Sequence, residues 1–240
     1  MEIKAWLEGG RPDLRALIQL LSDGDIRVFH EPDSDPFYEY YLTAPEIDNP
    51  PEAGRFDKAA KPLMQRINGL ARIQNSGYRP VRLADRYTRP DGTSVVFAEA
   101  SFEIRVEVSL EFEVVGADGK PKSTVPPPSP WPRRLELSEA NRDVSEVLGI
   151  LGQSKPLGWD DLYKVHEIIR HAISPAKIPD MGWADKSTDS AFTASANLPA
   201  VSGSDARHAR LAGTPGRTMT IDQGRSYISA LVTSWLDSLV

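Results

Sequence analysis

The stretch RPVRLADRYTRPDGTSVVF, residues 79–97, predicts a β-hairpin. At its centre, the residues RPDGT at 89–93 form a turn, because proline presets φ at one position and glycine tolerates a positive φ at another. Residues 79–89 and 94–115, on either side of the turn, are predicted to be the two β segments that it joins. This hairpin decides that the first half of the chain is built around a sheet.

The second arm of the hairpin continues into a segment of unbroken alternation, residues 102–114. Every second residue from Phe102 to Val114 is apolar, and four glutamates lie among the residues between them. Strict alternation predicts a strand with one buried face and one wet face. Because the wet face is acidic, this part of the sheet is not expected to bind a phosphate backbone in the manner of an RRM or OB domain.

The residues before this hairpin predict three further strands and two helices. The strands are expected at 3–7, 26–29 and 37–42. The first helix starts near Pro12 and ends at Gly24, and the second covers about 56–73, where Pro62 either kinks the helix or marks its true start. Residues 1–120 are therefore interpreted as an α+β domain with a mixed or antiparallel sheet and two helices.

Residues 121–134 are predicted to be a proline-rich linker, since six prolines fall between positions 121 and 132. Such a composition favours an extended, stiff connector. A docking motif for a proline-binding module is the alternative interpretation.

Residues 135–240 predict a helical domain with a bundle of three or four helices. Two apolar stripes at helical spacing lie in 140–151 and 162–173, and the last helix opens with a capping box from Thr220 to Gln223. Between the last two of these helices, residues 175–219 show no periodic pattern and are predicted to be a long internal loop. The whole chain is therefore an α+β protein, with the sheet domain first and the helical bundle second.

The composition excludes several classes of function. The chain has no cysteine, which rules out disulfides, thiolate nucleophiles and iron–sulfur clusters. Residues 1–120 carry 15 Lys and Arg against 21 Asp and Glu, and residues 121–240 carry 13 of each. This balance argues against a protein that binds DNA through a basic face, and leaves nucleic acid possible only through the second half. The sequence also predicts no signal peptide and no apolar run of about 20 residues, so a cytoplasmic protein is expected.

His166 is a first candidate for catalysis, with Arg170 one turn later on the same predicted helix. His166 and His171 lie about 140° apart on that helix, too far to share a metal ion, and no metal site or cofactor is predicted. The alternative for His166 is a partly buried, hydrogen-bonded helix residue.

The second candidate site is the segment from Asn197 to Arg210. Its Gly-Ser-Asp turn can cap a short helix, and Arg207, His208 and Arg210 would then lie where free backbone N–H groups favour an anion. Arg207 and Arg210, together with Arg170 and Asn197, predict an anion-binding site, and His208, Arg207 and His166 are the candidate catalytic residues. The alternative is that Arg207 and Arg210 tie the loop to an aspartate, namely Asp180, Asp185 or Asp189.

The Arg207-His208 pair, followed by a short insert and a capped terminal helix, resembles HEPN helical domains over residues 138–240. That resemblance implies a small dimeric bundle, often an RNA-cleaving toxin or defence effector. The HEPN signature places a histidine four to six residues after an arginine, and no histidine of this chain has that spacing. The overall layout is also similar to bacterial proteins of unassigned function.

Two functions are compatible with these observations. The first is an intracellular interaction or assembly protein, such as one part of a multi-protein bacterial system, that binds a protein partner or forms a homo-oligomer. The second is a HEPN-like effector that acts on nucleic acid or nucleotides through the anion site. No sequence motif assigns an enzyme class: Walker loops, G-x-S-x-G and a dinucleotide-binding glycine motif do not occur. The two functions differ in whether His166, Arg170, Arg207 and His208 converge in one cleft.

Overall fold

The computed structural model describes residues 2–32, 38–97, 130–203 and 216–240. It confirms the predicted α+β fold, with an antiparallel sheet in the first part of the chain and a mostly helical second part. The described residues divide into two compact units, one formed by residues 1–61 and 81–132 and the other by 62–80 and 133–240. The second unit thus includes residues 62–80, which lie within the N-terminal domain of the sequence-based division.

Within the described residues, five strands form the sheet, and every pair of them is antiparallel. The strand order is β2-β3-β1-β4-β5, so β2 and β5 lie at the two edges of this described sheet. The strands are β1 (Lys4–Glu8), β2 (Arg27–His30), β3 (Tyr40–Thr43), β4 (Arg82–Thr88) and β5 (Ser94–Val96). The predicted hairpin is confirmed as β4 and β5, whose turn is closed by Arg89 N donating to Thr93 O at 2.8 Å.

One face of this sheet contributes to the core of the first unit. Its central row consists of Val28, Leu42, Ala5 and Tyr87, all at most 4% exposed. Tyr87 contacts Phe56 at the start of helix α3 (Phe56–Gln74), with ring centroids 5.8 Å apart. Helix α1 (Arg11–Leu20) lies against β2, and a short helix α2 (Pro45–Asp48) follows β3.

Strand β4 contains a bulge opposite Trp6. Ala5 pairs with Tyr87 but Leu7 pairs with Leu83, so β4 has extra residues between these two pairs. Asp85 lies in this bulge with φ 50°, a left-handed conformation that is uncommon for a residue with a side chain. The bulge shifts the register between β1 and β4, which the sequence pattern alone does not reveal.

The predicted strand at 102–114 and most of the predicted linker fall within residues 98–129, outside the described residues. The end of that linker does differ from the prediction, because helix α4 (Trp131–Ala140) already begins at Trp131. Proline is tolerated in the first turn of a helix, where its missing N–H would have no intrahelical acceptor. Pro132 therefore does not prevent the helix.

Helix α6 (Trp159–Ala172) is central to the second unit and contacts three other helices. These are α5 (Arg142–Leu151), α7 (Lys186–Asn197) and α9 (Ile221–Ser238). Helix α9 begins with the predicted capping box: Gln223 N donates to Thr220 Oγ1 at 3.2 Å, and Thr220 N donates to Gln223 Oε1 at 2.9 Å.

Two glycines let helices of this unit approach closely. A Cβ atom at Gly69 would lie 2.2 Å from the Leu148 carbonyl oxygen, so α3 and α5 meet backbone to backbone. A Cβ atom at Gly224 would lie 2.7 Å from the Trp159 ring, where α9 crosses α6. Because packed interiors leave no room for an added methyl group, both positions require glycine.

The prediction of one long loop over 175–219 is wrong for its described part. Residues 186–197 form α7, and residues 199–202 form the short helix α8 (Pro199–Ser202). Helix α7 is rich in serine, threonine and alanine, so its apolar spacing is weak, and only Ala191, Phe192 and Ala196 give it a buried apolar side. Asp185 caps the helix by accepting from Thr188 N at 2.8 Å.

Candidate functional site

His166 lies at the centre of the helical unit and is 0% exposed. Its Nε2 atom is 2.7 Å from Asp189 Oδ1, and the Tyr227 hydroxyl donates to the same oxygen at 2.7 Å. The three residues come from α6, α7 and α9, respectively. A single carboxylate oxygen thus ties together three helices that are distant in sequence, and we call this arrangement the His166 cluster.

Electrostatics fix the protonation of two members of the His166 cluster. Partial burial by itself raises the pKa of Asp189, but the hydrogen bonds from His166 and Tyr227, with the positive charge of Arg170 nearby, outweigh burial and lower the pKa below its usual value. Burial and the hydrogen bond to Asp189 raise the pKa of Tyr227 well above its usual value. Asp189 is therefore an ionised carboxylate, which can only accept hydrogen bonds. The Tyr227 hydroxyl and His166 Nε2 must then each carry the proton that they donate to it.

Three aromatic rings lie around the imidazole ring of His166. The centroids of Phe192, Tyr163 and Tyr227 lie 5.1, 5.8 and 6.3 Å from that of His166. Nδ1 is buried and, among the residues the structure describes, has no hydrogen-bond partner. A general base must come within hydrogen-bond reach of the proton it removes. In this geometry His166 has no such access, and what the cluster does is hold α6, α7 and α9 together.

The two other predicted site residues that the structure describes, Arg170 and Asn197, do not join this cluster. Arg170 is exposed on α6 and affects Asp189 only through its charge. His171 is exposed, whereas His166 is buried, in agreement with their predicted divergence. Asn197 ends α7, eight residues and about 12 Å of helix from Asp189, and its side chain donates to Thr193 O at 2.9 Å.

Arg207, His208 and Arg210 fall within residues 204–215, outside the described residues. Their role in an anion site therefore stays a prediction, as does their convergence with His166 and Arg170. Of the three aspartates named as alternative partners, Asp180, Asp185 and Asp189, the last already accepts hydrogen bonds from His166 and Tyr227. Within the described ranges, no group of three or more His, Asp or Glu side chains is arranged to hold a metal ion.

Sequence reasoning missed Asp189 and Tyr227 as the partners of His166. Asp189 lies in the segment that was predicted to be a loop, and Tyr227 belongs to the apolar stripe of the last helix. One signal was available: a histidine within an apolar helix stripe needs a polar partner, and a tyrosine within another stripe can supply a hydroxyl. Which acid would meet them depends on helix packing, which the sequence does not display.

A second candidate surface, on the sheet, was also missed. The face opposite the core carries four aromatic side chains, which we call the aromatic face: Trp6, Phe29, Tyr38 and Tyr41. Tyr41 contacts Phe29 in a stacked arrangement at 5.3 Å and Trp6 edge-on at 5.4 Å, and Tyr38 lies 6.3 Å from Trp6. Trp6 is 3% exposed and anchored by its indole N–H, which donates to Thr88 Oγ1 at 2.8 Å, whereas the other three rings are partly exposed.

Two cations lie over the rings of the aromatic face. Lys4 Nζ is 4.6 Å from the centroid of Tyr41, and the Arg86 guanidinium is 5.4 Å from Tyr38 and 5.9 Å from Trp6. Lys4 also forms an ion pair with Glu31. Burial raises the pKa of Tyr41, while Lys4 partly offsets that effect, so Tyr41 presents a neutral hydroxyl. The result is a rigid surface of aromatic carbon edged by charge.

In comparisons with known proteins, no family model, no curated protein and no solved structure matches the chain. Over the described residues, no helix combines the length and apolar character needed to cross a membrane.

Proposed function

We propose that this chain is a cytoplasmic interaction protein, in which the aromatic face of the sheet contacts a protein partner and the helical unit supports assembly. The observation that carries the proposal is the aromatic face itself: three partly exposed rings seated on a buried tryptophan, with Lys4 and Arg86 stacked over them. Tryptophan, tyrosine and arginine are the residues that dominate binding energy at protein interfaces.

The rigidity of this surface supports the same proposal. Trp6 is fixed by its hydrogen bond to Thr88, and Tyr41 is held between Phe29 and Trp6. A preorganised surface loses little conformational entropy when a partner binds, so more of its contact energy appears as affinity.

The His166 cluster favours an interaction protein over a HEPN-like effector. The effector requires at least one histidine that reaches a substrate, and His166 is fully buried with Nε2 committed to Asp189. His208 is the remaining candidate of that hypothesis and lies outside the described residues. We therefore do not base a function on the anion site.

The proposal can be tested with a photo-crosslinking amino acid at Tyr41 of the full chain, with the exposed Lys186 on α7 as the control position. We expect one discrete adduct from position 41 that is missing from position 186. The captured protein, once purified, should bind the wild-type chain, and Tyr41→Ala should weaken that binding about tenfold or more, the effect of losing one hot-spot residue. Equal labelling at both positions, or unchanged binding by a folded Tyr41→Ala variant, would contradict the proposal.

A further inference from the structure

Strand β2 is an edge strand whose outer side has no neighbour among the described strands. It pairs with β3 through Arg27↔Thr43, Val28↔Leu42, Phe29↔Tyr41 and His30↔Tyr40. The ladder extends one step further, where Glu31 N donates to Glu39 O at 2.7 Å. Arg27 and His30 are exposed, and Phe29 is partly exposed.

The register determines which main-chain groups of β2 face outward. In an antiparallel ladder, hydrogen-bonded and non-hydrogen-bonded pairs alternate. Because Glu31 bonds to β3, the residues two and four positions earlier, Phe29 and Arg27, bond to β3 as well. Val28 and His30 therefore direct their N–H and C=O groups away from the sheet.

We propose that a second copy of this chain pairs with this edge, with the two β2 strands antiparallel about a twofold axis at Phe29. Val28 of each copy then lies opposite His30 of the other, so both outward-facing residues form hydrogen-bonded pairs. Arg27 of each copy lies opposite Glu31 of the other. The interface thus combines a continuous ladder with two symmetry-related pairs of opposite charge, an arrangement that stabilises antiparallel strands.

Neighbouring registers of the same strand pair are disfavoured. Because hydrogen-bonded and non-hydrogen-bonded pairs alternate, the twofold axis between the two β2 strands must pass through a residue position. The neighbouring registers therefore have the axis at Val28 or at His30. With the axis at Val28, Asp25 would lie opposite Glu31, which places like charges across the interface. With the axis at His30, Pro32 would occupy a hydrogen-bonding position without an N–H to donate. With the axis at Phe29, Pro32 falls opposite Ile26, outside β2, so this register keeps both hydrogen-bonded pairs of β2 and places Arg27 opposite Glu31.

The side chains on the outer face of β2 fit the same arrangement. Phe29 stacks on Tyr41, and Tyr41 contacts Trp6. Pairing at Phe29 would join the aromatic faces of two copies into one row, with Phe29 meeting its own symmetry mate at the short spacing of a non-hydrogen-bonded pair. The guanidinium of Arg27 donates to Gly24 O through Nε at 2.7 Å, so this bond does not use its two terminal nitrogens.

This inference rests on the proposed interaction function and names one partner for it. It is tested by sedimentation of the full chain over about a hundredfold range of concentration, since a homodimer dissociates on dilution. We expect wild type to self-associate. R27E should weaken self-association at least about tenfold, because it places a carboxylate opposite Glu31 at both symmetry-related positions. The control R82E, at an exposed arginine of β4, should leave self-association unchanged.

The reciprocal exchange R27E/E31R, made in a K4Q background because Lys4 pairs with Glu31 within the chain, provides the decisive comparison, since it restores opposite charges across the same register. We expect the double variant to recover self-association relative to R27E, with circular dichroism showing that both variants are folded. A wild-type chain that stays monomeric overturns the inference, as does a folded double variant that is no better than R27E. If a monomeric chain still crosslinks to another protein through position 41, the proposed function stands and only the second copy is excluded.

Discussion

The two polar–aromatic regions of this molecule use the same residue types for opposite purposes. The His166 cluster places its histidine at the intersection of three helices, where it is 0% exposed. The aromatic face places Phe29, Tyr38 and Tyr41 on a sheet surface, where each is partly exposed. In the first region, Asp189 accepts from the Tyr227 hydroxyl and His166 Nε2, and in the second, three rings remain partly exposed to solvent. Burial, rather than residue type, distinguishes the structural cluster from the surface that we propose for binding.

The largest difference is expected for the loss of an aromatic ring in each region. Phe192→Ala removes a fully buried ring that contacts Trp159, His166 and Tyr227, and it should lower the free energy of unfolding by about 3–5 kcal/mol. Phe29→Ala, at a partly exposed ring, should cost less than half of that value. Chemical denaturation of both variants measures this difference. Equal losses in the free energy of unfolding would show that the rings of the aromatic face are as buried as those of the His166 cluster.

The next largest effect is expected at Asp189. Asp189→Ala leaves His166 Nε2 and the Tyr227 hydroxyl without their acceptor, and should lower the free energy of unfolding by about 2–3 kcal/mol. Asp189→Asn keeps an acceptor and should cost less. The exposed Asp160, in the first turn of α6, is the matched control, and its replacement by alanine should cost under about 1 kcal/mol. A loss at Asp160 as large as that at Asp189 would contradict the structural role of the cluster.

The His166 cluster should also make the free energy of unfolding depend on pH in the acidic range. The pKa of Asp189 is lower in the folded chain than in the unfolded chain, so its contribution is fully present above the unfolded value of about 4 and is lost as the pH falls through the folded value. The Asp189→Asn variant lacks this titration. Below about pH 4, wild type should therefore lose stability more steeply than Asp189→Asn in denaturation experiments at successive pH values. Parallel profiles would show that Asp189 titrates alike in both states.

The smallest effect on stability is expected at the edge of the sheet. Arg27 is exposed, and its side chain makes one described hydrogen bond, to Gly24 O. R27E should change the free energy of unfolding by about 0.5 kcal/mol or less, as expected for a surface position. Thermal and chemical denaturation at low protein concentration checks this value. A larger loss would place Arg27 in the fold of the monomer rather than in an interface.

Much of the fold could be predicted because it depends on local patterns. The Pro-Asp-Gly turn specified the β4–β5 hairpin, and Thr220 with Gln223 specified the start of α9. Both signals act within a few residues, so they do not depend on contacts with the rest of the chain. Helix α7 escaped prediction because its buried side consists of alanine, serine and a single phenylalanine, which gives little apolar periodicity.

The sequence alone determined that the chain has a sheet followed by helices, and that His166 lies at the border of an apolar helix stripe. Only tertiary structure decided what His166 touches, because Asp189 and Tyr227 lie 23 and 61 positions further along the chain and meet it through helix packing. Only tertiary structure aligned Trp6, Phe29 and Tyr41 across three strands, because strand order and register select which alternating residues share a face. Patterns within a segment follow from local geometry, whereas a site assembled from several segments requires the fold.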